Sequence, residues 1–191
     1  MNSGRKCILI LGGARSGKSC FAQELAQQLG KKVLFVATGE PLDEEMEARI
    51  KEHKLSRPQD WRTLEASVNV GERLREQIRD AEVVIIDCLT LLVSNVLTRG
   101  DKESLKSDQL DYAGMSKKVL AEITEITRCI NNTNAIFIVV SNEVGMGLVP
   151  PYRLGRDYRD FLGRANQLMA QQADNVYFMV AGIPWQLKAK G

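Results

Sequence analysis

Cysteine is sparse: Cys7, Cys20, Cys88 and Cys129 are scattered along the chain, and no two of them form a C-x-x-C pair. That spacing excludes a disulfide framework or a thiolate zinc site, and the four read as small buried residues in a reducing compartment. Long apolar runs are also missing. The amino-terminal stretch Met1 to Lys6 is followed by only five apolar residues, too few for the core of a signal peptide or a membrane span. The expectation is a cytoplasmic protein with no membrane span. Nor does one sign of charge dominate: 26 basic residues face 24 acidic ones, interleaved along most helices, which argues against a nucleic-acid surface. No repeat or linker is visible, and no segment is biased enough to be disordered throughout. With 44% apolar residues in 191, residues 1–191 form one globular domain that buries about 70% of its unfolded surface.

Among what is present, the stretch Gly12-Gly13-Ala14-Arg15-Ser16-Gly17-Lys18-Ser19 fits G-x-x-x-x-G-K-[ST] at every fixed position. Cys7 to Leu11 before it reads as a buried strand, and Phe21 to Ala26 after it as the opening of a helix. A triphosphate carries several negative charges, so such a turn brings many backbone N–H groups to it. Side chains at Gly12, Gly13 or Gly17 would block that approach. Lys18 would reach the outer phosphates, Ser19 would ligate the accompanying magnesium ion, and the helix N-terminus adds its partial positive charge.

Further along, Lys32 to Thr38 reads as a strand after a helix that Gly30 terminates, and ends in a polar turn at Gly39-Glu40-Pro41. A charged helix over Leu42 to Leu55 follows, with Asp43 and Glu44 in its first turn. Trp61 to Glu65 is too short to classify and stays open as strand or turn. A helix over Val68 to Arg79 leads to the apolar run Glu82 to Asp87. Where a phosphate-binding loop lies upstream, an Asp ending that run binds magnesium directly or through water; the bland alternative is a turn cap.

A short helix over Thr90 to Leu97 precedes the polar stretch Arg99 to Gln109, which reads as a loop. The apolar spacing of Val119, Ile123, Ile126 and Ile130 gives a long amphipathic helix over Asp111 to Asn131. Ala135 to Val140 is another buried strand, and Ser141 to Pro151 an ordered loop at the edge where open α/β sheets bind ligands. A helix over Gly155 to Gln172 and a closing strand, Val176 to Val180, complete the chain. Strands alternating with helices predict a mostly parallel central sheet flanked by helices on both faces.

His53 is the only histidine. Arg49, His53 and Arg57 are spaced four apart, which puts three cationic or protonatable groups on one helical face, although Pro58 disfavours helix at Arg57. The two arginines would lower the imidazole pKa and hold a triphosphate against it, as a phosphorus nucleophile requires. Glu52 beside it works the other way.

These features, in this order, resemble the bifunctional adenosylcobinamide kinase and adenosylcobinamide-phosphate guanylyltransferase family of cobalamin biosynthesis. The resemblance covers nearly the whole chain. It runs through Gly12 to Ser19, Ala37-Thr38, Asp43 to Met46, Arg49-Ile50, His53, Arg57-Pro58, Trp61, Glu65 and Asp87 to Thr90. It continues in Ser141 to Gly147, Val149-Pro150, Arg159-Asp160, Gly163-Arg164, Asn166-Gln167, Ala173-Asp174 and Gly182.

The resemblance implies an α/β P-loop NTPase fold of the RecA-like kind and two activities. One phosphorylates adenosylcobinamide with ATP or GTP. The other transfers GMP from GTP, through a GMP-histidine intermediate at the position of His53, to give adenosylcobinamide-GDP and pyrophosphate. It further implies guanine-nucleotide contacts at Ala37, Thr38, Gly39, Lys54, Leu55, Ser56, Arg57, Glu65 and Asp87, a magnesium ion at Ser19 and Asp87, and a homotrimer.

Two other classes are weighed against it. A P-loop motor or switch acting on a macromolecule lacks support, since the N-K-x-D guanine motif and a large positive charge are both absent. A regulator that binds nucleotide without chemistry does not account for His53 between Arg49 and Arg57.

Overall fold

Runs of Ile, Val, Leu and Phe with no polar interruption make strands that must be buried on both faces, and that requirement sets the architecture. The structure is a computed structural model and describes residues 6–41, 43–55, 57–99 and 111–190. The strands are β1 (Cys7–Gly12), β2 (Val33–Ala37), β3 (Arg62–Glu65), β4 (Val83–Asp87), β5 (Ile136–Val140), β6 (Asn175–Val180) and β7 (Ile183–Lys188). They form one sheet in the order β3-β2-β4-β5-β1-β6-β7, parallel except for β7, which pairs antiparallel with β6. β1 sits between β5 and β6, with Leu9 opposite both Val139 and Val176.

Side chains alternate across the sheet. Cys7, Leu9, Leu34, Val36, Val84, Ile86, Phe137 and Val139 pack on one side with helices α3 (Val70–Gln77), α4 (Leu89–Thr98), α5 (Tyr112–Asn132) and α6 (Arg153–Gln172). On the other side Ile8, Ile10, Phe35, Ile85 and Ile138 pack with Ala22 and Ala26 of α1 (Lys18–Leu29) and with Trp61. The expected α/β layering, with helices on both faces, is therefore present. Helix α2 (Glu44–Leu55) belongs to neither core: none of its described side chains is buried. Asp43 starts it, its carboxylate accepting from the Met46 N–H at 2.7 Å.

Several boundaries differ from the sequence expectation, each for a tertiary reason. Residues 62–65, which the sequence alone reads as either strand or turn, form a strand because they pair in parallel register with β2, Val36 opposite Leu64. Helix α3 is confined to Val70–Gln77 between Asn69 and Arg79, whose backbones are left-handed at φ 54° and 44°. Its first N–H groups, of Asn69 and Val70, donate to the Glu122 carboxylate of α5. Helix α6 begins at Arg153, two residues early. Gly30 ends α1, as expected, but in extended backbone; a Cβ there would lie 2.9 Å from Glu82, so close packing demands glycine. The last strand, β7, was not anticipated at all. The Ala181-Gly182 turn with positive φ at both residues turns the chain back, as two-residue hairpins require.

Two cysteines depart from the buried role expected of them: Cys20 is exposed and Cys88 only part-buried. The Leu42 start assigned to α2, Ser56, and most of the polar stretch assigned to Arg99 to Gln109 lie outside the described residues. No described helix is long and apolar enough to cross a membrane.

Candidate functional site

The carboxyl ends of four parallel strands border one cavity of about 550 Å³, contributing Ala37, Glu65, Asp87 and Val140. Ligands of open α/β sheets bind at this edge, and the volume suits one small ligand. The loop after β1 adds Ala14 to Ser19, and α2 closes the opposite side with Met46, Ile50, His53 and Lys54, followed by Arg57 and Gly39. Residues 35 positions apart in sequence, Lys18 and His53, thus face the same space.

The loop wall is rigid by construction. Gly12 has φ +150°, and a Cβ on it would lie 2.6 Å from the Met179 carbonyl oxygen. Gly17 has φ +92°, and its Cβ would press on Gly182 at 3.2 Å. Both glycines are therefore required by the fold itself, before any phosphate is considered. Gly13 differs: a Cβ there meets nothing, so its bareness keeps the cradle open. The Gly182 N–H donates to the Ser16 carbonyl at 3.0 Å, tying the β6–β7 turn to the loop. Lys18 is buried, and its ammonium donates to the Gly13 carbonyl and, at 3.3 Å, to Ser16 Oγ. Burial holds that ammonium below the usual lysine range, opposed by Cys88 and Asp87.

Asp87 is the residue of this cavity that could hold a cation. Its Oδ2 is buried with no hydrogen-bond partner among the described residues, a state that costs about 1–3 kcal/mol unless a ligand relieves it. Burial pushes its carboxyl above the usual carboxylate range against the pull of the Ser19 hydroxyl, which bonds to it, and of His53, Arg57 and Lys18. Arg57 is the complementary case. Its guanidinium lies 3.8 Å over the Phe35 ring, yet Nε is buried without a hydrogen-bond partner among the described residues, ready for an acceptor that enters the cavity. It stands beyond the end of α2, as Pro58 dictates. Lys54 and Glu65 form an ion pair of 2.5 Å across the rim, which holds the Glu65 carboxyl below its ordinary range.

Other residues named from the sequence have different places. Thr38 does not line the cavity: fully buried, it donates from Oγ1 to the Cys88 carbonyl and accepts from the Cys88 N–H, stapling the ends of β2 and β4. Leu55 is 80% exposed and also outside the lining. Ser56 and the Arg49 side chain lie outside the described residues. Lining residues that the sequence did not single out as site residues include Met46 and Ile50, whose i, i+4, i+7 spacing with His53 is the available signal, and Cys88, Thr90, Leu91 and Asn142. Asn142 is clamped from both sides, its N–H on Thr90 Oγ1 at 2.8 Å and its carbonyl on Asn166 Nδ2 at 3.0 Å.

The family model of cobinamide kinase / cobinamide phosphate guanyltransferase matches residues 8–187. The chain is 42% identical over 183 residues to the bifunctional adenosylcobalamin biosynthesis protein CobU of Escherichia coli, covering 95% of this chain and 99% of that protein. It is 39% identical over 181 residues to the CobU protein of Salmonella typhimurium, with coverage of 95% and 99%. Against the bifunctional adenosylcobalamin biosynthesis protein CobP of Pseudomonas aeruginosa it is 38% identical over 182 residues, with coverage of 95% and 97%.

Proposed function

The chain belongs to the cobinamide kinase / cobinamide phosphate guanyltransferase family, and from that membership we propose how one cavity serves both reactions. The enzyme is a transferase of cobalamin biosynthesis with kinase and guanylyltransferase activities, using nucleoside triphosphates. In the kinase step, the side-arm hydroxyl oxygen of adenosylcobinamide attacks the γ-phosphorus of ATP or GTP, and the nucleoside diphosphate leaves. Lys18 and the N–H groups of the loop Gly12 to Ser19 bind the phosphates and stabilise the charge that develops on them.

In the transferase step, a ring nitrogen of His53 attacks the α-phosphorus of GTP and pyrophosphate leaves. A phosphate oxygen of adenosylcobinamide phosphate then displaces the imidazole, giving adenosylcobinamide-GDP. Splitting one displacement at phosphorus into two requires a nucleophile held against the α-phosphate. Arg57, with its unpartnered Nε, and Lys54 clamp that phosphate, while Glu65, Ala37 and Gly39 border the nucleoside. Ser19 and Asp87 would hold a magnesium ion, which when bound neutralises phosphate charge; the unpartnered Asp87 Oδ2 supports that assignment. The observation that carries the reading is the shared cavity of Lys18 and His53.

Further supports concern assembly and place. Ile183, Trp185 and Leu187 alternate along the edge strand β7 and are 69%, 66% and 53% exposed, an apolar stripe that suits burial between the subunits of a homotrimer. Both reactions draw on the nucleoside triphosphate pool, which fits the cytoplasm. The experiment is incubation with magnesium and GTP labelled at the α-phosphate. Acid-labile, alkali-stable label is expected on denatured wild type and none on His53→Ala; equal label on both overturns the guanylyl-histidine.

A further inference from the structure

Two groups of large apolar side chains stand in solvent. One is the β7 stripe. The other lies on the loop after β5, where Met146 is 76% exposed, Leu148 96%, Val149 62% and Tyr152 65%. This second group is not a slack loop. The Gly145 N–H donates to the Glu143 carboxylate, the Gly147 N–H to the Val144 carbonyl, and the Arg156 guanidinium to the carbonyls of Pro150 and Pro151 at 3.2 and 2.7 Å. Gly155 is bare because a Cβ there would lie 2.6 Å from the Tyr152 ring and 2.7 Å from Pro150. These bonds fix the backbone on either side of the four apolar side chains, which stay in solvent at a cost that a ligand or partner covering them would recover.

The loop is continuous with the cavity. It starts at Asn142, which lines the cavity, and the Glu143 N–H donates to the carbonyl of Gly12 at 3.1 Å. Leu148 is six residues beyond Asn142 and so stands at most about 20 Å from the wall, a distance bridged by a macrocycle with a side arm. Of the substrates in the reading above, on which this inference rests, the nucleotide is polar and is the one assigned to the cavity. The corrinoid alone brings a broad apolar ring face that must dock outside it. We propose that Met146, Leu148, Val149 and Tyr152 form the platform for the ring of the corrinoid acceptor, which directs its side arm past Asn142 toward the transferable phosphoryl group.

The test uses the full chain carrying Leu148→Ser, Met146→Ser with Leu148→Ser, or Leu148→Met, assayed for cobinamide phosphorylation, for GMP label on His53 with GTP alone, and for mass by light scattering. The expected result is a KM for cobinamide raised about tenfold by Leu148→Ser, more by the double change and hardly at all by Leu148→Met. The KM for nucleotide, the label and the mass should not move. Retained label also shows that the variants fold. An unchanged cobinamide KM overturns the platform, and so does a fall in mass, which would assign the ridge to contact with a second copy. Failure of wild type to take label or phosphorylate cobinamide instead overturns the underlying reading, and needs no variant to be seen.

Discussion

The two walls of the cavity are built on opposite principles. The phosphate-binding loop is set by its own glycines, bonded at Gly13 and Ser16 by the buried Lys18, tied to the β6–β7 turn through Ser16 and continuous with a strand that is buried along its whole length. Facing it, α2 has no buried side chain among those described and is held at its ends by the Asp43 cap and the exposed Lys54–Glu65 pair. Few buried apolar contacts put a segment at the low-stability end of a fold. One wall is thus fixed before any ligand arrives, while the other carries His53 on a lightly anchored helix. In the proposed division of labour both reactions need the first wall, and only guanylyl transfer needs the second.

That division can be broken at either wall. Lys18→Ala should have the largest effect, lowering kinase and transferase rates together by at least about 10³-fold; a fall in one rate alone would mean that the two reactions use separate nucleotide sites. His53→Ala should abolish GMP transfer while leaving the kinase rate within about twofold of wild type, read from cobinamide phosphate formed under steady-state conditions. Asp87→Asn, or removal of magnesium with a chelator, should slow both reactions by about 10²-fold. The same substitution should not lower the melting temperature of the unliganded protein, because burial is the largest influence on the Asp87 carboxyl and works against its charge, and Oδ2 has no hydrogen-bond partner among the described residues.

The smaller effects sharpen the contrast itself. Amide hydrogen exchange should run at least about tenfold faster in α2 than in α1, with GTP slowing α2 more than α1; equal protection would show that α2 is as firmly seated as the core. Asp43→Ala removes the cap of α2 at a cost of about 1 kcal/mol, so its amides should exchange about fivefold faster with no change in kinase rate.

How far these walls are legible in sequence follows from the same difference. The first is local: strand, glycines, lysine and helix lie within Cys7 to Leu29, and the unbroken apolar run of β1 and the 3.6-residue period of α5 state their own burial. The placement of His53 opposite Lys18 is not local. It depends on β2 lying beside β4, three and two strands from the loop's own β1, and only the Arg49-His53-Arg57 spacing and the resemblance pointed to it. Thr38 sits at a strand end where ligands bind, yet its hydroxyl is consumed by the Cys88 backbone, a bond across 50 residues that no spacing foretells.

Strand β3 has a single buried side chain, Leu64, so nothing local separates it from a turn. Strand β7 did carry a signal: Ala181-Gly182 between Val180 and the alternating Ile183, Trp185 and Leu187, with Pro184 tolerable because the strand is at the edge.

The solitude of His53 has a practical consequence. Because the chain contains one histidine and that residue lines the reaction cavity, the imidazole signals in its proton and nitrogen magnetic resonance spectra belong to a single ring. They need no assignment by mutagenesis. The formation of a phosphorus–nitrogen bond proposed above, release of pyrophosphate and return of the bare ring could each be followed in the unaltered protein, with the proposed nucleophile serving as its own probe.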